Sequence, residues 1–271
     1  MPSCLDEIYS DRILKDVLIN INSIFPDAEN YSWPMIPYVG KNYDKANPKL
    51  LFVGKAPFGW GGDRKHFKDT SLREVISRKI PISIVRNETD RFIEKEVIPY
   101  YSGYEGYSSS RFMQRIYIIS RFAFGQESQA EKILTSIAWT NLFKICRCNG
   151  ELPPAKMKGY LLDNFNFLER EIDKLNPDII IFSTGISAEY DKYLFGPNNY
   201  TFKNHEVKLE GVADGIARVL GIEADAFRTI HFQVIKRDML YNLCRFIKPI
   251  PSNKKPKDIG IIFSLRNKIL Y

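Results

Sequence analysis

Four short segments carry residue types able to work on a planar, hydrogen-bonding ligand, and each follows a run of apolar residues. Gly54-Lys55-Ala56-Pro57-Phe58-Gly59 follows Leu50-Leu51-Phe52-Val53, and Asn141 follows Ile137-Ala138-Trp139-Thr140. Ser183-Thr184-Gly185 follows Asp178-Ile179-Ile180-Ile181-Phe182, and His231-Phe232-Gln233 follows Arg228-Thr229-Ile230. Pro57 and the glycines around it fix a turn that can bring backbone N–H groups close to a ligand. Asn141 offers a donor and an acceptor in one amide, which suits the Watson–Crick edge of a nucleobase. His231 can stabilise negative charge developing on a leaving group. Phe58, Trp60 or Phe67 can stack on a flat ring, and Lys236 and Arg237 stand where a phosphate contact helps.

The elements that must position these groups follow from the same pattern. Short apolar runs bounded by Gly, Asn or Ser read as buried strands. Between them lie amphipathic stretches: Leu5 to Phe25 with Ser3 as N-cap, Arg111 to Phe122, Pro154 to Leu175, and Arg237 to Ile247. Asn176-Pro177 stops the third of these before the strand at 178–182. Strands alternating with helices predict an α/β fold, a three-layer αβα arrangement around a central, mainly parallel four-stranded sheet. In such sheets functional groups gather outside the carboxyl ends of the strands, where all four segments fall.

With 271 residues, 44% of them hydrophobic, the chain can bury a substantial core. It reads as one domain over 1–271, with an N-terminal helix and wrapping loop over 1–48 and a Pro- and Lys-rich C-terminal tail over 249–271. Lys and Arg outnumber Asp and Glu by 39 to 32, a net +7 that favours a polyanionic partner. No apolar run reaches the roughly 18 to 20 residues that span a bilayer, and the chain opens without a basic then apolar leader, so a cytoplasmic monomer without membrane contact is expected.

Taken in order, the segments resemble the uracil-DNA glycosylase superfamily, nearest its iron–sulfur (family 4 type) and single-strand-selective branches. Gly54-Lys55-Ala56-Pro57 is similar to the family's Gly-Glu-Ala-Pro-Gly motif, and Thr140-Asn141-Leu142-Phe143-Lys144 to its Thr-Asn-x-x-Lys motif. Leu175-Asn176-Pro177 resembles its Leu-x-Pro segment, and Ile230-His231-Phe232-Gln233 takes the place of its His-Pro-Ser loop. The resemblance spans Leu50 to about Leu243. It implies a uracil-DNA glycosylase-like fold and a DNA glycosylase that flips a uracil or modified base from single- or double-stranded DNA and hydrolyses its N-glycosidic bond. Asn141 would read the base in a pocket with Gly54, Lys55, Ala56, Pro57, Phe58 and Phe67, and His231 would support the departing base anion. Lys144, Gln233, Lys236 and Arg237 would contact DNA, with Val234 or Ile235 as the wedge filling the vacated stack.

The chain also departs from that pattern. Where the family positions water with an acid or amide, Lys55 and Ala56 stand, and neither can act as a carboxylate. Asp63 is the nearest substitute. The loss of the motif acid leaves open a catalytically inactive protein that binds nucleic acid or a partner protein. Asn141 also reads as a cap after its strand, His231 as a satisfied core histidine, and Lys55 as an ion-pair partner. Tyr100, Tyr101, Tyr104 and Tyr107 could stack on bases or pack a loop. Cys4, Cys146, Cys148 and Cys244 lack the Cys-x-x-Cys spacing usual for an iron–sulfur cluster, so no cofactor is expected.

Overall fold

The computed structural model describes residues 35–56, 89–102, 111–125, 129–147, 152–164, 167–185, 200–201, 212–219 and 222–229. It also describes 5, 7–10, 16, 19–21, 23–25, 232, 235, 240, 243–244 and 247; at 162, 200–201, 212–219 and 222–229 only the backbone is described. The strands in chain order are β1 (Tyr38–Val39), β2 (Leu50–Gly54), β3 (Ile137–Asn141), β4 (Ile179–Ser183), β5 (Tyr200–Thr201), β6 (Val212–Val219) and β7 (Ile222–Thr229). Helices α1 (Ile98–Tyr101), α2 (Arg111–Phe124), α3 (Ala130–Leu134), α4 (Ala155–Asn164) and α5 (Phe167–Leu175) lie between them, with a π-helical turn at Ile93–Val97 leading into α1.

Among the described residues, seven strands join one sheet in the order β1-β3-β2-β4-β7-β6-β5. The protein is therefore of the α/β class. The pairs β2–β3, β2–β4 and β4–β7 are parallel, while β1–β3, β6–β7 and β5–β6 are antiparallel. The expectation of a mainly parallel four-stranded sheet is corrected on this point: the sheet is mixed and seven-stranded, and the expected strands form its parallel centre. Two of the additions escaped the sequence pattern for a physical reason. β6 and the first half of β7 carry Ala, Asp, Glu, Arg and Gly where strands usually carry β-branched or aromatic residues. Val219 pairs with Ile222, so residues 220–221 alone connect this hairpin. The fourth strand accordingly runs over 222–229 instead of starting at Arg228.

Both faces of the central strands are covered, because their apolar side chains alternate between two cores. Leu51, Val53, Ala138, Ile180 and Phe182 face one core with Met157 of α4, Leu168 and Ile172 of α5, and Leu5, Ile8, Tyr9 and Ile21 from the start of the chain. Leu50, Phe52, Ile137, Trp139, Ile179 and Ile181 face the other with Met113, Ile116 and Ile119 of α2, Ile98 of α1, and Phe232, Ile235, Leu240 and Leu243. Runs buried on both faces are what made β2, β3 and β4 readable.

Of the stretch from Pro154 to Leu175, expected as one helix, Ala155–Asn164 and Phe167–Leu175 are helical, and 165–166 lie outside the described residues. Asn164 donates its amide Nδ2–H to the Tyr160 carbonyl, 3.0 Å away. α5 ends as expected, with Asn176 in the left-handed region (φ 44°) just before Pro177. The expected wrapping loop of 26–48 includes β1 and a 3-10 turn at Tyr43–Lys45. Among the described residues, no helix is long and apolar enough to cross a membrane.

Candidate functional site at the carboxyl edge of the sheet

Parallel register places the ends of β2, β3 and β4 side by side: Gly54 pairs with Asn141 on one side and with Ser183 on the other. The loops beyond these ends are tied to one another. Leu142 N–H donates to the Gly54 carbonyl (2.8 Å) and Phe143 N–H to that of Lys55 (2.9 Å). Phe232 N–H donates to Ser183 Oγ at 2.7 Å, which places Phe232 at the same edge.

Gly54 is required here by space. A Cβ at this position would collide with Asn141 Oδ1 and touch the tip of the Phe112 ring, which would lie 3.0 Å away. The bare backbone thus lets an amide and an aromatic ring meet over one residue. Phe112, in the first turn of α2, packs 5.4 Å from Phe232 and 5.7 Å from Trp139 between ring centroids, and Phe232 packs edge-on to Phe52 at 6.4 Å. A cluster of aromatic rings thus lies on the side of Gly54 where the tip of Phe112 and the buried Asn141 amide converge.

Asn141 is 1% exposed. Its Nδ2–H donates to Met35 Sδ, and a thioether is a weak acceptor. The loop holding Met35 is fixed by its N–H, which donates to the Lys144 carbonyl at 2.7 Å. Thr184 Oγ, one residue past β4, is buried without a hydrogen-bond partner among the described residues. A buried amide on a weak acceptor and a buried hydroxyl with no partner are groups that a polar ligand would satisfy.

Lys144 holds the other side of the β3 loop. Its ammonium lies 2.7 Å from Glu171 Oε1 and 2.8 Å from Oε2. Thr140 Oγ–H donates to Glu171 Oε2 at 2.8 Å while accepting from Lys144, and Tyr9 O–H donates to Glu171 Oε1. Burial lowers the Lys144 pKa, and the Glu171 charge and hydrogen bond oppose that shift. Lys144 was expected at a DNA phosphate and is corrected on this point: it is buried and committed to Glu171, across from the residue that precedes Asn141.

Of the other expected site residues, Gly54, Lys55 and Ala56 lie at the site edge, with Ala56 packed against the core of the α4–α5 face. Ile235, expected as a wedge, is corrected as well: it is 3% exposed and packs in the core with Phe232 and Leu240. Pro57, Phe58, Trp60, Asp63, Phe67, His231, Gln233, Val234, Lys236 and Arg237 lie outside the described residues. Of the tyrosine run, Tyr101 stacks on Tyr117 at 4.1 Å and meets Tyr100 edge-on at 5.1 Å, so both serve packing; Tyr104 and Tyr107 lie outside the described residues. Phe112 was not singled out as a site residue, because it reads only as one apolar position of an amphipathic helix.

Cys146 and Cys244 are buried and form no disulfide, and burial pushes the Cys244 pKa up to about 12. Cys4 and Cys148 lie outside the described residues. Among the described residues, no group of three His, Cys, Asp or Glu side chains is placed to hold a metal ion. Comparison with protein-family models gives no match to this chain, and comparison with curated proteins gives none.

Proposed function

We propose that the protein is a DNA glycosylase with a uracil-DNA glycosylase-like fold, which flips a uracil or modified base out of DNA and hydrolyses its N-glycosidic bond. The observation that carries this reading is the meeting of the Asn141 amide and the Phe112 ring over Gly54. An aromatic ring beside an edge-reading amide supports a flipped base, which the ring can stack on once it turns its face to the base. Asn141 exchanges its thioether partner for the base edge, and Phe112 stacks on the base in the role expected of Phe58 or Phe67.

Bond cleavage requires that the base leave with the glycosidic electron pair. Water adds through its oxygen to C1′ and gives up a proton, and the departing base anion takes one. His231 is covalently next to Phe232, whose N–H is held by Ser183, and supplies the charge stabilisation for that anion. Asp63 is the acid proposed to orient the water in place of the missing motif acid. DNA is the partner, engaged by a monomer without a cofactor; Gln233, Val234, Lys236 and Arg237 are proposed to contact it.

The test is to incubate the protein with single- and double-stranded oligonucleotides carrying uracil or modified pyrimidines and then cleave abasic sites with alkali. Strand breaks that require Asn141 and His231 support the reading. A second reading, a catalytically silent DNA-binding protein, is favoured by Lys55-Ala56, since Ala56 is packed against the core and neither residue is a carboxylate. A salt-sensitive gel shift without abasic product would select it.

A further inference from the structure

The Asn141 amide is closed off in this structure. Asn141 is 1% exposed, and Met35, whose Sδ accepts from its Nδ2–H, is fully buried. A ligand ring that is to meet the amide therefore needs a neighbour to leave, and the neighbours differ in how readily they can. Gly54 is fixed in the sheet by its pairing with Asn141 and Ser183. Phe112 is packed against Trp139 and Phe232. The Met35 main chain is anchored too: its N–H donates to the Lys144 carbonyl at 2.7 Å, and Thr89 Oγ–H donates to the Ile36 carbonyl at 3.1 Å. Neither bond involves the Met35 side chain, which is unbranched, turns about three bonds and meets Asn141 through a sulfur, a weak acceptor. Burial of its apolar stem in the α2-side core keeps it in place only until a group of similar size replaces it.

We propose that the Met35 side chain is a displaceable plug, an autoinhibitory contact that holds the Asn141 amide until a pyrimidine takes its place. The side chain swings out while the main chain stays on Lys144 and Thr89. The bond to the Lys144 carbonyl sets Met35 beside the loop that follows β3, so the side chain leaves toward the edge that the strand ends share. The exchange is chemically favourable. A ring carbonyl accepts from Nδ2–H more strongly than a thioether does, and the flat ring restores the apolar contact that the methionine gives up. The choice of a pyrimidine rests on the glycosylase reading; the plug itself does not.

The test is to titrate free uracil, thymine and cytosine by calorimetry into the wild type, Met35→Ala and the milder Met35→Val, with toluene as an apolar ring of similar size. The truncated variants are expected to bind at least one pyrimidine about tenfold or more tightly than the wild type, since a closed site's affinity is reduced by its open fraction. Asn141→Ala in the same background should abolish the gain. No gain in either folded variant would overturn the proposal. So would toluene binding as well as the pyrimidines with no effect of Asn141→Ala, the mark of a plain apolar cavity. Should truncation unfold the chain, the wild type decides. With isotope-labelled methionine methyl groups, the Met35 signal, one of five in the chain, is identified by its loss in Met35→Leu. It should shift on adding a uracil-containing oligonucleotide or the free base, and a signal unmoved by either overturns the plug. If the variants gain the pyrimidine while no base is released from any oligonucleotide, the glycosylase reading fails and the plug stands. Base release with neither gain nor shift keeps the glycosylase reading and removes the plug.

Discussion

Gly54 and Asn141 are paired neighbours at the ends of two parallel strands, and the Asn141 carboxamide oxygen fills the space a side chain on Gly54 would need. Gly54→Ala should therefore displace the amide or shift β3, at a cost of about 1–3 kcal/mol, the usual range for overpacking a core. Urea unfolding measures the cost. If the amide is the part of the site that reads the base, oligonucleotide base release should fall further than the loss of folded protein explains.

The Lys144–Glu171 pair is structural, and removing one partner strands the other. Lys144→Met should destabilise by about 3–5 kcal/mol, whereas Lys144→Met combined with Glu171→Leu should recover much of that loss. The expected pattern in urea is thus strongly non-additive. Any DNA salt slope should be the same for the folded double variant as for the wild type, because the ammonium is not available to phosphate.

Cys244 makes alkaline stability depend on pH. Its folded pKa, about 12, is raised above the ordinary value of 9.0 by burial. The thiol's contribution to stability is complete below the ordinary value and is lost as pH rises from there through the folded value. Urea midpoints between pH 8 and 11 should fall less steeply in Cys244→Ala than in the wild type. At neutral pH the native protein should leave Cys146 and Cys244 unlabelled by a thiol reagent, with both reacting once urea unfolds it.

Met35→Leu keeps the volume but removes the sulfur that accepts from Asn141. The stability change should be under about 1.5 kcal/mol. If the thioether is a placeholder for a base, base release should be preserved or increased, whereas a large loss of release at full stability would mark Met35 as part of the catalytic arrangement.

The parallel centre of the sheet was legible because β2, β3 and β4 are short apolar runs buried on both faces, a pattern that few other structures produce. The hairpin of β6 and β7 was not, since Asp214, Gly215, Glu223 and Asp225 disguise strands whose pairing is set by their neighbours in the sheet. The meeting of the strand ends at Gly54, Asn141 and Ser183 was legible because each follows a buried apolar run. The site was misread where it depends on a distant partner. Lysines are rarely buried, and only the fold brings Glu171, itself held by Tyr9, to Lys144. Phe112 belongs to the same class, because its neighbours are set by where α2 lies against the sheet.

Direct measurement of free base released from an oligonucleotide panel, comparing wild type with Asn141→Ala and His231→Ala, tests the central claim. The account predicts release of uracil or a modified pyrimidine by the wild type and a loss of about 100-fold or more in each variant, the scale of removing a group that stabilises developing charge or reads the base. Release that persists undiminished in both folded variants, or no release from any base in the panel, would contradict it.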